Sequence, residues 1–552
     1  MLRLGALFLL AIAPWAVKAI WPIPRSLQTG YSLLKLSPSF HITLNINNPP
    51  QDLLDAVACT NSYIHTDKLQ RLVVGRGAND SAALTLAPTL PELSISLNGA
   101  TTPRAIAVEA VQPLEARSEG YSLHVPNDGS SAVLTANSTL GLFRGLTTFE
   151  QLWYDLGGVT YSYQAPVIIQ YRGFMLDTAR NFFPVADIKR TLDAMSWVKL
   201  NTFHWHIVDS QSFPLEVPDF PEIAAKGAYS SSEIYSAANV KDIISYAGAR
   251  GIDVLMEIDT PGHTAVLSTS HPEHIACAFS TPWSFFANEP PAGQLRLTSP
   301  ATSNFTATLI SSIAKALPST MFSTGGDELN VNCYTMDSQT QQELASSGKT
   351  LEQALSTFVQ ANHARLANLG KTPVVWEEMV LDHTVALRND TVVMVWISSQ
   401  RAALVAAKNF RIVHAPSDYF YLDSGAGEWL GNDPGGNSWC DPFKTWQKSY
   451  TFDPLANLTQ DQIPLVLGGQ QLLWTEQSTP ENLDPIVWPR AASSAEIFWT
   501  GATLPDGTAR NVGSALPRLH DLRYRMVQRG VRAIPLQPHW CALRPGVCDL
   551  TA

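Results

Sequence analysis

From Arg172 onward the chain repeats one pattern eight times: a short apolar strand segment, a loop, then a stretch suited to a helix. The candidate strands are 172–177, 201–208, 252–259, 321–327, 373–377, 392–397, 411–416 and 464–470. Eight such α/β units predict a closed (β/α)8 TIM barrel, with strands inside and helices outside. A doubly wound open sheet is the alternative for the same rhythm. Long inserts at 260–300 and 417–462 fit loops at the active face of a barrel.

The intervening segments carry helix signals. Asp187 opens one with Ile188, Leu192, Met195 and Val198 at helical spacing. Asn239 is expected to cap another that runs to Gly251. Phe305, Leu309, Ile313 and Leu317 form a third stripe, stopped by Pro318. Thr350-Leu-Glu-Gln353 fits a capping box, and Gly370 stands where that helix should end.

Residues 20–166 read differently. Leu93-Ser-Ile-Ser-Leu97 and Tyr121-Ser-Leu-His-Val125 alternate apolar with polar, as half-buried strands do. Leu140 to Leu156 reads as a helix, with Phe143, Leu146, Phe149 and Leu152 on one stripe. A small α+β domain ending near Pro166 is expected, with the barrel and a C-terminal tail filling 167–552. Before it, Arg3, the apolar run Leu4–Val17 and the small Ala19 read as a signal peptide over 1–19. The alternative, a membrane anchor, needs a longer apolar run of about 20 residues.

Secretion, or delivery to a lysosome- or vacuole-like compartment, follows from that signal. Sequons at Asn79, Asn137, Asn304, Asn389 and Asn457 agree with it. Six cysteines can pair in an oxidising compartment. Cys541 and Cys548 are close enough to close a tail loop, and Cys277 and Cys333 could tie two long loops. Cys59 and Cys440 remain, paired or not. A net charge of −11, with no run of Lys or Arg, argues against nucleic acid and against an anionic membrane as partners.

In a barrel the chemistry sits where strands end. The candidate strand ends bring Asp177 and Arg180, His206 and Asp209, Asp259 and His263, Asp327-Glu328, Trp376-Glu377, Trp396, Tyr421 and Asp423, and Trp474 and Glu476 to one face. Carboxylates and Arg hold hydroxyls through charge-assisted hydrogen bonds, and Trp offers flat apolar faces. That mixture suits a sugar. Gly325 and Gly326 permit a turn that could give Asp327 and Glu328 separate tasks, and two carboxyls in one pocket should help keep Glu328 protonated.

Arg172-Gly-Phe-Met-Leu-Asp-Thr-Ala-Arg180, Asn201-Thr-Phe-His-Trp-His206, Glu257-Ile-Asp-Thr-Pro-Gly-His263, Gly325-Gly-Asp-Glu328 and Gly468-Gly-Gln-Gln-Leu-Leu-Trp-Thr-Glu476 resemble the family 20 glycoside hydrolases, the β-N-acetylhexosaminidases. Gly141-Leu-Phe-Arg-Gly-Leu146 extends the resemblance, more weakly, into the N-terminal domain. The resemblance implies substrate-assisted retaining hydrolysis of terminal N-acetylhexosamine from oligosaccharides or glycoconjugates. It implies Glu328 as general acid and base, with Asp327 orienting the 2-acetamido group. Asp209 and His263 would form a relay beside the acid. Arg180, Asp423 and Glu476 would bind ring hydroxyls. Trp376, Trp396 and Trp474 would enclose the N-acetyl group, and Tyr421 would donate to its carbonyl. Trp439 and Trp446 are alternatives for a further subsite. A homodimer is implied; no cofactor is.

Two other readings use the same residues. His204-X-His206, completed by His263 and Asp327, could ligate a metal in an amidohydrolase; the plainer reading of His204 is a packed, hydrogen-bonded barrel residue. A carbohydrate-binding protein without catalysis is the second.

Overall fold

A computed structural model describes residues 20–24, 26, 33–99, 102–126, 128–162, 171–504 and 507–550. The expected signal peptide and the expected junction near Pro166 lie outside them.

The eight strand segments form one closed, all-parallel barrel in chain order: Tyr171–Asp177, Thr202–His206, Asp253–Glu257, Met321–Ser323, Thr372–Trp376, Val392–Val395, Arg411–His414 and Val466–Leu473. The eighth closes on the first, with Gly468 opposite Tyr171 and Leu473 opposite Leu176. The open-sheet alternative is excluded. Several strands are buried along their whole length, which is why Val392–Val395 reads as an unbroken apolar run. The upper interior is polar: His204, Glu257, Ser323 and Gln470 are fully buried there.

Local signals set the outer helices. Val185–Trp197 buries Ile188, Leu192 and Met195 against the barrel. Pro300–Lys315 starts on the Ser299 hydroxyl, which accepts from the Thr302 N–H. Leu351–Asn368 carries the expected capping box, and Gly370 follows it in the left-handed region. A cap of this kind stabilises a helix by about 1 kcal/mol. Asn239 corrects the reading: Ser236 is the cap, Asn239 returns its side chain as the third residue, and the helix Ala237–Gly248 stops short of Gly251. Asn and Ser both cap well, so composition alone favoured neither.

Before the barrel lies a six-stranded mixed sheet. Thr139–Phe149 is a buried helix with Ser138 as its cap. The expected helix to Leu156 ends earlier, because Trp153–Leu156 turns into an edge strand paired with Val159–Ser162. The two units share buried charge. Glu119 accepts from Arg144, from Arg172 of the first barrel strand and from Asn201, each at 2.7 Å. Arg144 also donates to the Gly251 carbonyl at 2.6 Å. Trp499, from a barrel helix, is buried in the core of the N-terminal unit. Trp21 is buried in the barrel core instead, its indole N–H donating to the Ala492 carbonyl.

Cys277–Cys333 and Cys541–Cys548 are disulfides, while Cys59 and Cys440 are free thiols. All five sequon asparagines are exposed. No helix among the described residues is long and apolar enough to cross a membrane.

Candidate active site

The fourth barrel strand stops at Ser323, and the chain then turns through Gly325 and Gly326, both at positive φ. The turn requires glycine. A Cβ on Gly325 would lie 1.9 Å from Asp259 Oδ1, and one on Gly326 would lie 2.7 Å from Met379. The Gly326 N–H instead donates to Asp259 Oδ1 at 2.8 Å. Glu328 follows at φ 53°, a left-handed conformation that strains a residue with a side chain. His263, opposite, has the same φ of 53°.

This turn separates the two adjacent carboxyls. The Asp327 side chain is 9% exposed, the Glu328 side chain 28%. Carboxyl oxygens of Asp327 and Asp259 lie within 4.8 Å of each other. Burial, then the Asp259 charge, pushes Asp327 well above the usual carboxylate range, and burial brings Asp259 up to about 7. Two buried acids in contact hold one proton between them more easily than two charges.

His263 links the pair to the second strand. Its Nδ1 faces Asp209 Oδ1 at 3.1 Å, and its Nε2 lies 3.4 Å from Glu328 Oε2 and 3.9 Å from Asp327 Oδ2. Burial opposes charge on this imidazole, but Asp209, then Glu328 and Asp327, hold its pKa well above the ordinary histidine value. Asp209 lies well below the usual carboxylate range despite burial, because Arg180, His263 and His206 face it.

Arg180 stands beside them. Its Nη2 lies 2.6 Å from Glu289 and 3.0 Å from Asp209, and its guanidinium sits 5.0 Å over the Trp474 ring. Burial alone would weaken its charge, but Asp209, Glu289, Asp177 and Glu476 reverse that. Burial raises Glu476 well above the usual range, against the attraction of Arg180. Asp423 accepts from the Trp474 N–H at 3.3 Å and from the Cys440 thiol at 3.4 Å, and burial brings it to about 6.

The aromatic residues form one group. Trp376 and Trp474 lie 6.1 Å apart, Trp474 and Tyr421 6.4 Å, and Tyr421 stacks on Trp396 at 6.3 Å. Burial keeps the Tyr421 phenol protonated, hence a donor. Trp439 stands edge-on to Trp396 and Tyr421 and is 61% exposed at the rim. Trp446 is buried against Tyr450, away from this group, which leaves Trp439 as the rim residue.

The eleven residues to which the resemblance gives a task all lie at the barrel's C-terminal face. Others were missed. Glu257 sat inside a quoted motif without a task, and Asp259 was named at a strand end but given none. Glu378, whose carboxyl accepts from the Trp396 indole at 2.8 Å, adjoined a strand end. Glu289 had no signal, since it comes from an aperiodic insert. The metal set named from the sequence, His204, His206, His263 and Asp327, is not brought together. Among the described residues, groups with ligand spacing are Asp209–His263–Glu289 and Asp259–His263–Asp327, neither with His204 or His206. His204 is instead hydrogen-bonded between Gln470 and Glu257.

Comparison with known proteins agrees with this geometry. Residues 169–502 match the family model for the glycosyl hydrolase family 20 catalytic domain, and residues 20–152 match one described as beta-acetyl hexosaminidase like. A beta-hexosaminidase of Arthroderma benhamiae is 36% identical across 78% of this chain and 74% of its own. A chitooligosaccharidolytic beta-N-acetylglucosaminidase of Bombyx mori is 34% identical across 96% of this chain and 89% of its own. The solved exo beta-N-acetylglucosaminidase of Vibrio harveyi superposes with a TM-score of 0.72 over 94% of this chain and 78% of its own, at 22% identity, a likeness of fold. With its barrel matched throughout and its relatives aligned over most of its length, the chain belongs to glycosyl hydrolase family 20.

Proposed function

We propose that this chain is a retaining exo-β-N-acetylhexosaminidase in which the sugar's own 2-acetamido group is the nucleophile. Glu328 protonates the glycosidic oxygen while the acetamido carbonyl oxygen attacks C1 and the C1–O bond breaks. The product of that step is an oxazolinium whose positive charge lies partly on the ring N–H, which faces Asp327. Water then attacks C1, Glu328 takes its proton, and the acetamido group reforms with the anomeric configuration retained.

The observation that carries this reading is the division of the Asp327-Glu328 pair. Glu328 stands at the half-open rim, within reach of a leaving group and of water. Asp327 lies buried beside Asp259, placed to meet an acetamido N–H. Trp376, Trp396 and Trp474 would enclose the acetyl group, with Tyr421 donating to its oxygen. Arg180, Asp423 and Glu476 would take the ring hydroxyls. In the free enzyme Glu289 occupies Arg180, and substrate must share or displace that contact.

Terminal N-acetylhexosamines of oligosaccharides or glycoconjugates are the proposed substrates, and the Bombyx mori relative's name favours chito-oligosaccharides among them. The apolar N-terminus and the exposed sequons support secretion or a lysosome-like destination.

The test is release of aryl alcohol from aryl N-acetyl-β-D-glucosaminide and its galacto epimer, with chelator present, and with the first-formed anomer followed by proton NMR. Chelator-resistant turnover giving the β anomer first is expected. The α anomer first would exclude retention. Folded protein that turns over neither sugar would favour the binding-protein reading.

A further inference from the structure

The contact between His263 and Glu328 is the last link of a longer buried chain. Glu257 Oε1 lies 2.6 Å from His206 Nδ1, and His206 Nε2 lies 2.8 Å from Asp209 Oδ2. Asp209 Oδ1 is 3.1 Å from His263 Nδ1, and His263 Nε2 is 3.4 Å from Glu328 Oε2. Acid and imidazole alternate over five side chains from the buried upper interior of the barrel to the rim. His206 has a carboxylate at each nitrogen, so both nitrogens donate and the ring is an imidazolium. Burial opposes that charge, but Asp209 and Glu257 raise its pKa to about 10.

Glu257 is also a hub. Its oxygens accept from His204 Nε2 at 3.2 Å, from the Ser323 hydroxyl and from the Trp376 indole at 3.3 Å. One fully buried carboxylate thus ends the chain and anchors an aromatic wall residue.

We propose that Glu257 and His206 are positioning residues which, through Asp209 and His263, set the pH range over which Glu328 works as an acid. The inference rests on the assignment of Glu328 as general acid. The charged neighbours can be followed in full. Glu257 faces His204 and His206 and repels Asp259. His206 faces Glu257 and Asp209, with Trp474 edge-on at 4.8 Å. Asp209 faces Arg180, which Asp177, Glu289 and Glu476 also surround. His263 faces Asp209, Glu328, Asp327 and Asp259.

The sign of each change follows from Coulomb's law. Glu257→Gln removes a negative charge, so protons along the chain leave at lower pH. His206→Gln removes a positive charge, so they are held to higher pH. With N,N′-diacetylchitobiose, a poor leaving group, the alkaline limb of kcat/KM should move down in the first variant and up in the second, each by about half a unit or more. A dinitrophenyl glycoside, whose leaving group needs no proton, should show neither shift. A purely structural role would lower activity without opposite shifts.

Opposite shifts confined to chitobiose support the proposal. Unmoved limbs, or limbs moving the same way, overturn it while leaving the hexosaminidase reading intact. Wild-type protein that hydrolyses neither substrate would instead overturn that reading. If a variant fails to fold, the wild-type histidine N–H resonances decide. Far-downfield imidazole protons persisting above about pH 8 are expected, and ordinary titration of all thirteen histidines by about pH 7 overturns the chain.

Discussion

Glu328 and His263 hold left-handed backbones where neither has the freedom of glycine, a strain of about 1–3 kcal/mol each. The Gly-Gly turn and the Asp259 contact hold one of them in place, so the catalytic geometry depends on small residues behind it. Glu328→Gln should lower kcat by on the order of 10²–10⁴ for chitobiose and much less for a dinitrophenyl glycoside, measured by steady-state kinetics. Equal losses on both would remove the acid role. Gly325→Ala, with its Cβ directed into the Asp259 carboxyl, should lower stability by more than about 1 kcal/mol in urea unfolding and cost activity as well.

Asp259 gives a signed pH prediction. Its folded pKa, about 7, lies above that of an unfolded aspartate, so its contribution is present in acid and is lost as pH rises towards 7. Asp259→Asn, still able to accept from Gly326, should make the melting temperature fall less between about pH 5 and 8 than it does in the wild type. A parallel decline in both proteins would contradict the raised pKa of Asp259.

At the scale of elements, one rule places the site: each barrel strand ends on the same face. All eight strands were readable because a buried parallel strand is a short apolar run followed by a loop, and because chemistry gathers at those ends. What was less legible has physical causes. Trp153–Leu156 continues a helical stripe in sequence, yet pairs as an edge strand with residues that follow it. Ser236 and Asn239 both satisfy helix-cap chemistry, and only their reciprocal hydrogen bonds separate cap from third residue. Glu289 reaches Arg180 from an insert without periodicity, where nothing local marks it. That insert is tied by Cys277–Cys333 to the segment that follows Glu328. Replacing both cysteines by serine should cost about 2–4 kcal/mol of stability. If this tie holds Glu289 on Arg180, its loss should change KM more than kcat, because substrate must share or displace that contact.

In the whole molecule, Glu119 joins the two units. It is buried among Arg144, Arg172 and Asn201, which hold it below the usual carboxylate range although burial opposes this. The Arg144 of the Gly141–Leu146 motif therefore couples the N-terminal unit to the barrel rather than touching the site. Glu119→Ala would remove the buried carboxylate shared by Arg144 and Arg172 and should cost about 3–5 kcal/mol. Because the folded pKa is depressed, this stability is present above the ordinary glutamate value and is lost as pH falls through the lower, folded one. The variant's deficit should accordingly shrink in strong acid, measured by calorimetry. A deficit independent of pH would assign the loss to packing alone.

In the proposed mechanism the substrate's acetamido group does the work of a nucleophile, oriented by Asp327. The direct test is an aryl glucosaminide series in which the N-acetyl methyl is progressively fluorinated. Fluorine withdraws electrons from the carbonyl oxygen without greatly changing its size. Wild-type kcat/KM should fall steeply along the series, and Asp327→Asn should be slow throughout. Rates that stay level as fluorine is added would contradict it, and would require a nucleophile from the protein or from water.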